Sequence, residues 1–464
     1  MIYDFIIVGG GVSGLLCFHK LRDKGFQRVL IIESNLRLGG RIDTEWVSSP
    51  KRTWLDKGAA RFNSSQKRMM NLLKKLKLSD KIIPLETTPV EPLSIQRWNE
   101  INKLLKKNPQ KTPGEIIQDK DWIQTTGYID DFSIASASAF LSEWSYYHPN
   151  ALDDWYELNG GLSQVIDALT KNIPEKNIIL GELVKSVEYE NQVWHLKGDN
   201  DSYQANKVVF TLQPSKLQKL LPEWNFPYQA ESLIRIFVQA NGNLQWLKQN
   251  PVYYRKDGSQ VISLLERTEK TGWFELYYSS GTKAGKLLQN YLDNEEKAVK
   301  NYEAKWKKLT GDTININQVS VGYWRNGVEW YLPRNQSFDV YLKELRENGE
   351  KQGMYFIGDS FSNFTGWIEG CLESIEKQNF PSKGGKRNLY NLAEVAKHNK
   401  INDAWIVIRG KVYDITNWIP KHPGGIVIMK GVGKDATELF ERAHPNLTLP
   451  RKILKNYLIG KLDK

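Results

Sequence analysis

Three glycines, at positions 9, 11 and 14, and two histidines, at 422 and 444, are the residues of this chain whose type and spacing could do chemistry. The glycines form G-x-G-x-x-G between a strand-like apolar run, Asp4-Phe5-Ile6-Ile7-Val8, and a helical pattern that starts at Val12. In that setting Gly9 permits a tight turn, Gly11 lets backbone approach a pyrophosphate, and Gly14 lets the helix pack close to the strand. The pyrophosphate then rests on the helix N-terminus, where unpaired N–H groups and the dipole favour an anion. Glu33 lies 19 residues past Gly14, at the end of the run Val29-Leu30-Ile31-Ile32, and is placed to accept ribose hydroxyls. This stretch predicts dinucleotide binding.

The histidines point to different chemistry. His422-Pro423-Gly424-Gly425 puts an imidazole at a loop-to-helix turn where glycines let backbone approach something flat, and His444 closes the short helical stretch that comes after Gly433. A zinc site would want further Cys or His ligands nearby, and this segment offers only His398. That residue, with His19, His148 and His195, reads as structural.

The elements that must position these residues emerge from the patterning. Strand, glycine turn, helix to about Lys24 and second strand make a β-turn-α-β opening, as in a doubly wound parallel sheet. From about Pro84 to Trp155 the pattern is mixed and largely helical, and Asn159-Gly160-Gly161 starts another helix. Strands are predicted near Ile178–Leu180, Val184–Tyr189, Val193–Leu196 and Val208–Phe210, then a strand-rich aromatic stretch from Leu233 to about Phe274. One helix is predicted from about Asp293 to Leu309, a strand at Phe356-Ile357 and a last helix from about Gly366 to Lys377. The polar, glycine-bearing segment 381–388 reads as a linker, and 389–464 has the size of a small domain.

Composition bounds the classes. With 464 residues, 40% apolar and 25% charged, the chain can bury cores in two or three domains, and no apolar run approaches the roughly 20 residues that cross a bilayer. No signal-peptide pattern comes after Met1, and two cysteines, Cys17 and Cys371, exclude a disulfide scaffold. A reducing, cytoplasmic setting is the expectation, which makes the sequons at Asn63, Asn335, Asn363 and Asn446 chance matches. The net charge of +11 gathers in lysine-rich stretches at 72–78 and 103–111, which read as solvated helix faces. Neither mixes arginine with stacking aromatics in a nucleic-acid-binding motif, so no nucleic-acid partner is expected, while association with a membrane surface stays open.

The segment after Glu33 is more specific. Glu33-Ser34-Asn35-Leu36-Arg37-Leu38-Gly39-Gly40-Arg41 resembles the E-x-x-x-R-x-G-G-R signature of the flavin-containing amine oxidase superfamily. Asp56-Lys57-Gly58-Ala59-Ala60-Arg61-Phe62 looks like the family's next glycine turn, Leu158–Leu162 like its internal glycine pair, and Val184–Val187 like a strand meeting the adenine through backbone. Phe356-Ile357-Gly358-Asp359 with Gly366-Trp367-Ile368-Glu369-Gly370-Cys371 is similar to its closing flavin motif. The resemblance spans about 3–380 and implies FAD, held by Gly9, Gly11, Gly14, Glu33, Arg37, Gly40, Arg41, Gly58, Ala59, Val184, Gly358, Asp359 and Ile368. Asp359 replaces the family's usual glutamate and is a shorter acid for the ribityl or pyrophosphate region. Covalent-flavin members carry an upstream cysteine; none occurs from Ser320 to Pro333, so FAD is expected to be non-covalent, with Cys17 as core packing. The resemblance puts Arg235 where many members have a lysine that holds water at the flavin, though an arginine stays protonated and cannot act as base. It also implies a pair of aromatic walls, Trp367 with Trp330 or Tyr331. The acids Asp153, Asp154 and Glu157 either attract a cationic amine or form an exposed helix face.

Residues 389–464, with Trp405-Ile406-Val407-Ile408 and Lys411–Thr416 ahead of His422 and His444, resemble a cytochrome b5 domain. The resemblance implies haem b with both histidines as axial ligands, a closed coordination shell suited to outer-sphere electron transfer. Thirteen Lys and Arg against seven Asp and Glu make this segment +6, where typical microsomal relatives carry an acidic rim. No apolar tail comes after it, so no transmembrane anchor is expected. The predicted fold is α/β plus α+β: a doubly wound Rossmann-like FAD domain (about 1–83, 156–225, 350–380) with an interleaved substrate domain (about 84–155, 226–349), then the small b5-like domain. The implied function is oxidation of a small molecule, an amine or similar, by hydride transfer to flavin, with electrons passed to haem, to an external redox protein or to O2. The alternative is a desaturase-like flavoenzyme or electron carrier whose b5 module serves another partner.

Overall fold

Phe5–Val8 has no polar side chain to keep wet on either face, and it becomes the buried middle strand of a parallel sheet. The structure is a computed structural model, and it describes residues 1–48, 52–85, 94–119, 129–144, 154–255, 259–264, 272–382, 388–416, 418–454 and 457–463. Two units are present: Met1–Lys20 with Gln27–Asn379, and Leu21–Phe26 with Phe380–Lys464.

In the first unit the parallel strands run in the order Met354–Phe356, Val208–Phe210, Phe5–Val8, Val29–Ile32, Ile178–Ile179. Val8 lies beside Ile32 and Phe210, and Phe210 beside Phe356, so the loops carrying Gly9, Glu33, Thr211 and Gly358 leave one edge together. That carboxyl edge is where doubly wound sheets take ligands. A four-stranded sheet, Ile2–Tyr3, Ser202–Ala205, Val193–Lys197 and Ser186–Glu190, lies in the same unit. Val184 therefore precedes its strand rather than starting it.

A second core forms around an antiparallel sheet in the order Val252–Tyr254, Gln260–Ile262, Trp273–Ser280, Tyr228–Gly242, Ile314–Tyr331. One face packs on two helices, Gly281–Asp293 and Glu295–Thr310, through Ile234, Val238, Tyr302 and Trp306. The helix expected from about Asp293 to Leu309 is the second of these, and the first was not foreseen; Asn294 separates the two, with its backbone extended and its side chain accepting the Lys297 N–H as a cap. The other face packs Phe237, Ile262 and Trp273 on Leu55 of a hairpin, Thr44–Ser48 with Arg52–Asp56. Trp155–Leu158 is a strand between Phe62–Asn63 and Ile82–Pro84. The exposed-helix-face reading of Asp154 and Glu157 is thereby corrected: Asp154 is exposed ahead of the strand and Glu157 is buried within it. Asp153 and His148 lie outside the described residues. The lysine-rich stretches fall on helices in part, Lys67–Lys75 with Leu72 and Leu73 buried and Ile95–Lys107 with Leu105 buried, while Lys77 and Lys111 lie beyond the helix ends.

The second unit has a sheet in the order Asn388–Tyr390, Leu458–Leu462, Lys411–Asp414, Asp403–Ile408, Asn399–Lys400. Helices Thr437–Ala443 and Thr448–Leu454 and the short turns Ile419–Lys421 and Gly425–Gly431 build a core with Ile406, Ile415 and Val432. Among the described residues no helix is long and apolar enough to cross a membrane.

Candidate functional site

The glycine loop after Phe5–Val8 is shaped by three different constraints. Gly9 sits at φ +111°, and a Cβ there would come within 2.5 Å of Thr211 Oγ1. At Gly14 a Cβ would lie 2.1 Å from the Gly9 carbonyl oxygen, so only glycine lets helix Val12–Asp23 approach the strand. At Gly11 a Cβ would meet nothing nearer than the Gly40 Cα at 3.9 Å. The protein itself has room for a side chain at Gly11, and what requires glycine there is the anion the helix N-terminus faces. Gly11→Ala is thus expected to leave the thermal midpoint of the flavin-free protein unchanged while weakening FAD retention. Gly14→Ala should lower both, and flavin titration alongside a melting curve checks the pair.

Glu33 is buried, accepting the Gly10 N–H at 2.7 Å on one oxygen and the Asn35 N–H and side-chain amide at 2.8 and 2.7 Å on the other. These bonds aim a carboxylate at the nucleotide loop. Arg37 clasps its own loop by donating to the carbonyls of Leu38, Gly40 and Ile42. Arg41 forks onto Asp359 and donates to the Gly327 carbonyl at 2.7 Å; Asp359 also accepts the Gly366 N–H at 3.0 Å. The aspartate ties the first glycine loop to the closing motif, and its short side chain is spent there. Gly58 lies against Arg41, where a Cβ would be 1.9 Å from the Arg41 carbonyl oxygen, and the Ala59 N–H donates to that oxygen at 3.0 Å. Gly358 donates its N–H to Ser374 Oγ, while Ile368 opens helix Ile368–Glu376 half-buried, and Val184 is buried. An unfilled Cβ position at a helix N-terminus, an oriented carboxylate and loops converging on one edge fit an adenine dinucleotide.

Arg235 is buried and fully committed. Its Nε and Nη2 donate to Glu275 at 2.8 and 2.6 Å, and Nη1 donates to the carbonyls of Asp56 and Gly58 at 2.6 and 2.9 Å. It holds the second glycine turn in place. The expected wall residue Trp330 is also corrected. Its Nε1 donates to Glu231 at 2.9 Å, and its ring fills a cluster with Ile101, Leu105, Phe132 and Trp144, while Tyr331 packs with Tyr228 and Phe338. The ring beside Trp367 is Trp155, at 5.6 Å between centroids. Arg61 lies 5.4 Å from the Trp155 ring and 5.5 Å from that of Tyr278, a cation held between two aromatic faces. The sequence reading missed Trp155, Tyr278 and the role of Arg61. Arg61 was within reach, because it lies three residues past the glycine turn.

In the second unit the His422 and His444 rings stand 6.1 Å apart. An imidazole nitrogen binds a first-row metal at about 2 Å, so two rings sharing one ion stand roughly 6 Å apart centre to centre. His422 Nδ1 faces the Gly425 carbonyl at 3.2 Å and His444 Nδ1 the Phe440 carbonyl at 2.8 Å. A carbonyl only accepts, so each Nδ1 carries the proton and each Nε2 offers its lone pair. Phe440, Ile428, Met429 and Trp418 supply apolar walls. A Cβ on Gly424 would reach 2.9 Å from the His422 ring, which accounts for the first glycine of the pair. This geometry fits an axial pair for haem. His398 is held by Asp403 at 2.7 Å and stacks on Trp405.

Comparison with known proteins agrees with both halves. The "NAD(P)-binding Rossmann-like domain" family matches residues 7–76, and the "Cytochrome b5-like Heme/Steroid binding domain" family matches 391–463. Two similar proteins are Delta(5) fatty acid desaturase A of Dictyostelium discoideum, 54% identical over 15% of this chain and 16% of its own, and cytochrome b5 of Nicotiana tabacum, 43% identical over 17% and 59%. The chain thus spans about one sixth of the length of such desaturases. In fold it is similar to a putative protoporphyrinogen oxidase from Exiguobacterium (TM-score 0.63, 16% identity, 81% of this chain and 97% of that one). Cyclohexylamine oxidase from Brevibacterium oxydans also matches with TM-score 0.63 and 16% identity, over 81% and 98%. The "Flavin containing amine oxidoreductase" family matches residues 121–374, more than half of the chain, and the chain belongs to that family, with FAD and haem b as its cofactors and a cytochrome b5-like domain at its C-terminal end.

Proposed function

We propose that the chain oxidises a small molecule, an amine or a similar C–H donor, at its flavin and passes the electrons to its haem. Bound FAD supplies a hydride acceptor and bound haem b a one-electron acceptor. The observation that carries the reading is the run of contacts Trp367–Trp155–Arg61–Tyr278, in which Tyr278 pairs across the sheet with Arg235, the residue that grips the Asp56–Gly58 turn. Aromatic faces orient a flat or apolar substrate and exclude water from the reacting bond, and Arg235 keeps the turn beneath them fixed. His422 and His444 would hold the haem iron between them, and a haem so held would supply outer-sphere electron transfer rather than O2 binding. One chain joining donor and acceptor keeps their effective concentration high, in about the millimolar range.

The test is anaerobic mixing with a panel of amines, monitoring the flavin and haem bands separately. Flavin bleaching and then haem reduction is expected. Haem that stays oxidised while the flavin bleaches assigns the module to an external redox partner, and a flavin that no substrate bleaches overturns the proposal. FAD is held non-covalently in this reading: burial pushes the Cys371 thiol up to about 12, so it is no thiolate nucleophile, and burial raises Cys17 likewise. Acid precipitation is expected to release all the yellow colour into the supernatant, and colour left in the pellet contradicts it.

A further inference from the structure

Around the histidine pair of the second unit the exposed charges are mostly positive. Over 418–454 six Lys and Arg meet three Asp and Glu. Lys421 adjoins His422, Lys430 and Lys434 come after it, and Arg442 stands two residues before His444. All four are exposed, and among the described residues none of them makes a hydrogen bond or an ion pair through its side chain. The acids are placed otherwise. Glu441 is held by Arg409 and Arg451, and Asp435 accepts the Thr437 N–H and hydroxyl, which leaves Glu438, one turn ahead of Arg442, as the exposed acid without a partner among the described residues.

The segments that carry these cations meet at one place. The two imidazoles stand 6.1 Å apart, and Ile428 and Met429 of the turn Gly425–Gly431 pack in one core with Phe440 of the helix that ends ahead of His444. In sequence between the cations lie Ile426, Val427 and Leu439, each an exposed apolar side chain. Apolar contacts among charges of one sign suit association with a protein of the opposite sign: the charges steer the encounter and select the partner.

We propose that the face around His422 and His444 docks an acidic one-electron redox protein. The inference rests on the reading of the haem as an electron-transfer centre, not on the flavin's substrate. A haem with both axial positions taken exchanges electrons without binding its partner at the iron, so the partner must dock close by, and a positive surface speeds that encounter for a negative partner alone. In the transfer one electron leaves the ferrous haem, which becomes ferric, and reduces the one-electron acceptor of the partner. An anionic lipid surface fits less well. Trp418 and Tyr457, the aromatics here that could anchor in a membrane interface, pack against the core, and lipid offers no acceptor for the electron.

Cytochrome c, which is basic, and its succinylated form, which is acidic, are one acceptor with two signs of charge. The holoprotein is reduced with dithionite, freed of excess reductant and mixed with each by stopped flow, and haem oxidation is followed at the haem's own band. At low salt the acidic form is expected to oxidise the haem at least about tenfold faster. That advantage should shrink as salt passes about 0.1 M, where charges are screened within about 10 Å. Lys421→Glu with Arg442→Glu should remove the preference while haem content and thermal midpoint stay unchanged. Equal rates, a faster reaction with the basic form, or a preference that survives in the double variant overturns the proposal. Haem loss from the double variant also overturns it, by assigning these cations to the haem's own carboxylates. So does pelleting with phosphatidylserine vesicles that the double variant abolishes, which assigns the face to a lipid surface. Dithionite rather than substrate supplies the electrons, so a flavin that no amine bleaches leaves these outcomes untouched.

Discussion

Replacing His444 by alanine is expected to convert the haem spectrum wholly from six-coordinate low spin to high spin, with the flavin bands unchanged. The two rings stand at the separation a shared iron sets, and each has its Nδ1 proton on a backbone carbonyl, leaving only Nε2 to ligate. Alanine removes the ligand but not the pocket: Phe440, Ile428 and Met429 still wall it. Haem is then held by one histidine, with a vacant position that small ligands reach. His422→Ala should do the same from the other side. His398→Ala should leave the spectrum untouched, since that ring is spent on Asp403 and Trp405. A double variant at 422 and 444 that kept a low-spin spectrum would sink the assignment.

The difference between what the sequence reveals and what it hides has a physical reason at each of these places. His422 and His444, and Gly9, Gly11 and Gly14, work through local backbone geometry, so short spacing carries their meaning. Trp155, Arg61 and Tyr278 come from three separate segments and meet only through packing between elements, which no local pattern encodes. The resemblance places Trp330 or Tyr331 only roughly at the second wall position, and the ring and N–H of Trp330 are committed to a buried cluster and Glu231. Ile314–Tyr331 escaped notice as a strand because its alternating pattern is broken by Gly322 and Gly327. Both glycines are places of close approach: a Cβ would lie 2.4 Å from the Lys57 carbonyl oxygen at the first and 2.5 Å from the Leu233 Cβ at the second. Each break in periodicity here is a point of close approach within one strand.

Arg235→Met is expected to destabilise the protein by about 3–5 kcal/mol, because it leaves the Glu275 carboxylate buried without its counter-ion. Glu275 is fully buried, and Arg235 holds both of its oxygens at 2.8 and 2.6 Å. The same change frees the carbonyls of Asp56 and Gly58, so FAD retention should weaken together with the melting temperature. Arg235→Lys keeps the charge but cannot fork onto the carboxylate and reach both carbonyls as well, so it should fall between the two. Removing both charges in Arg235→Met with Glu275→Leu should recover most of the lost stability, since the expensive species is the lone buried carboxylate rather than the missing pair. Recovery of stability without recovery of FAD retention would separate the ion pair from the grip on the turn. A role at the reacting bond makes the opposite forecast: Arg235→Met would cut turnover while leaving the melting curve in place. Melting curves and flavin titrations of the single and double variants therefore decide whether this arginine positions the turn or meets the substrate.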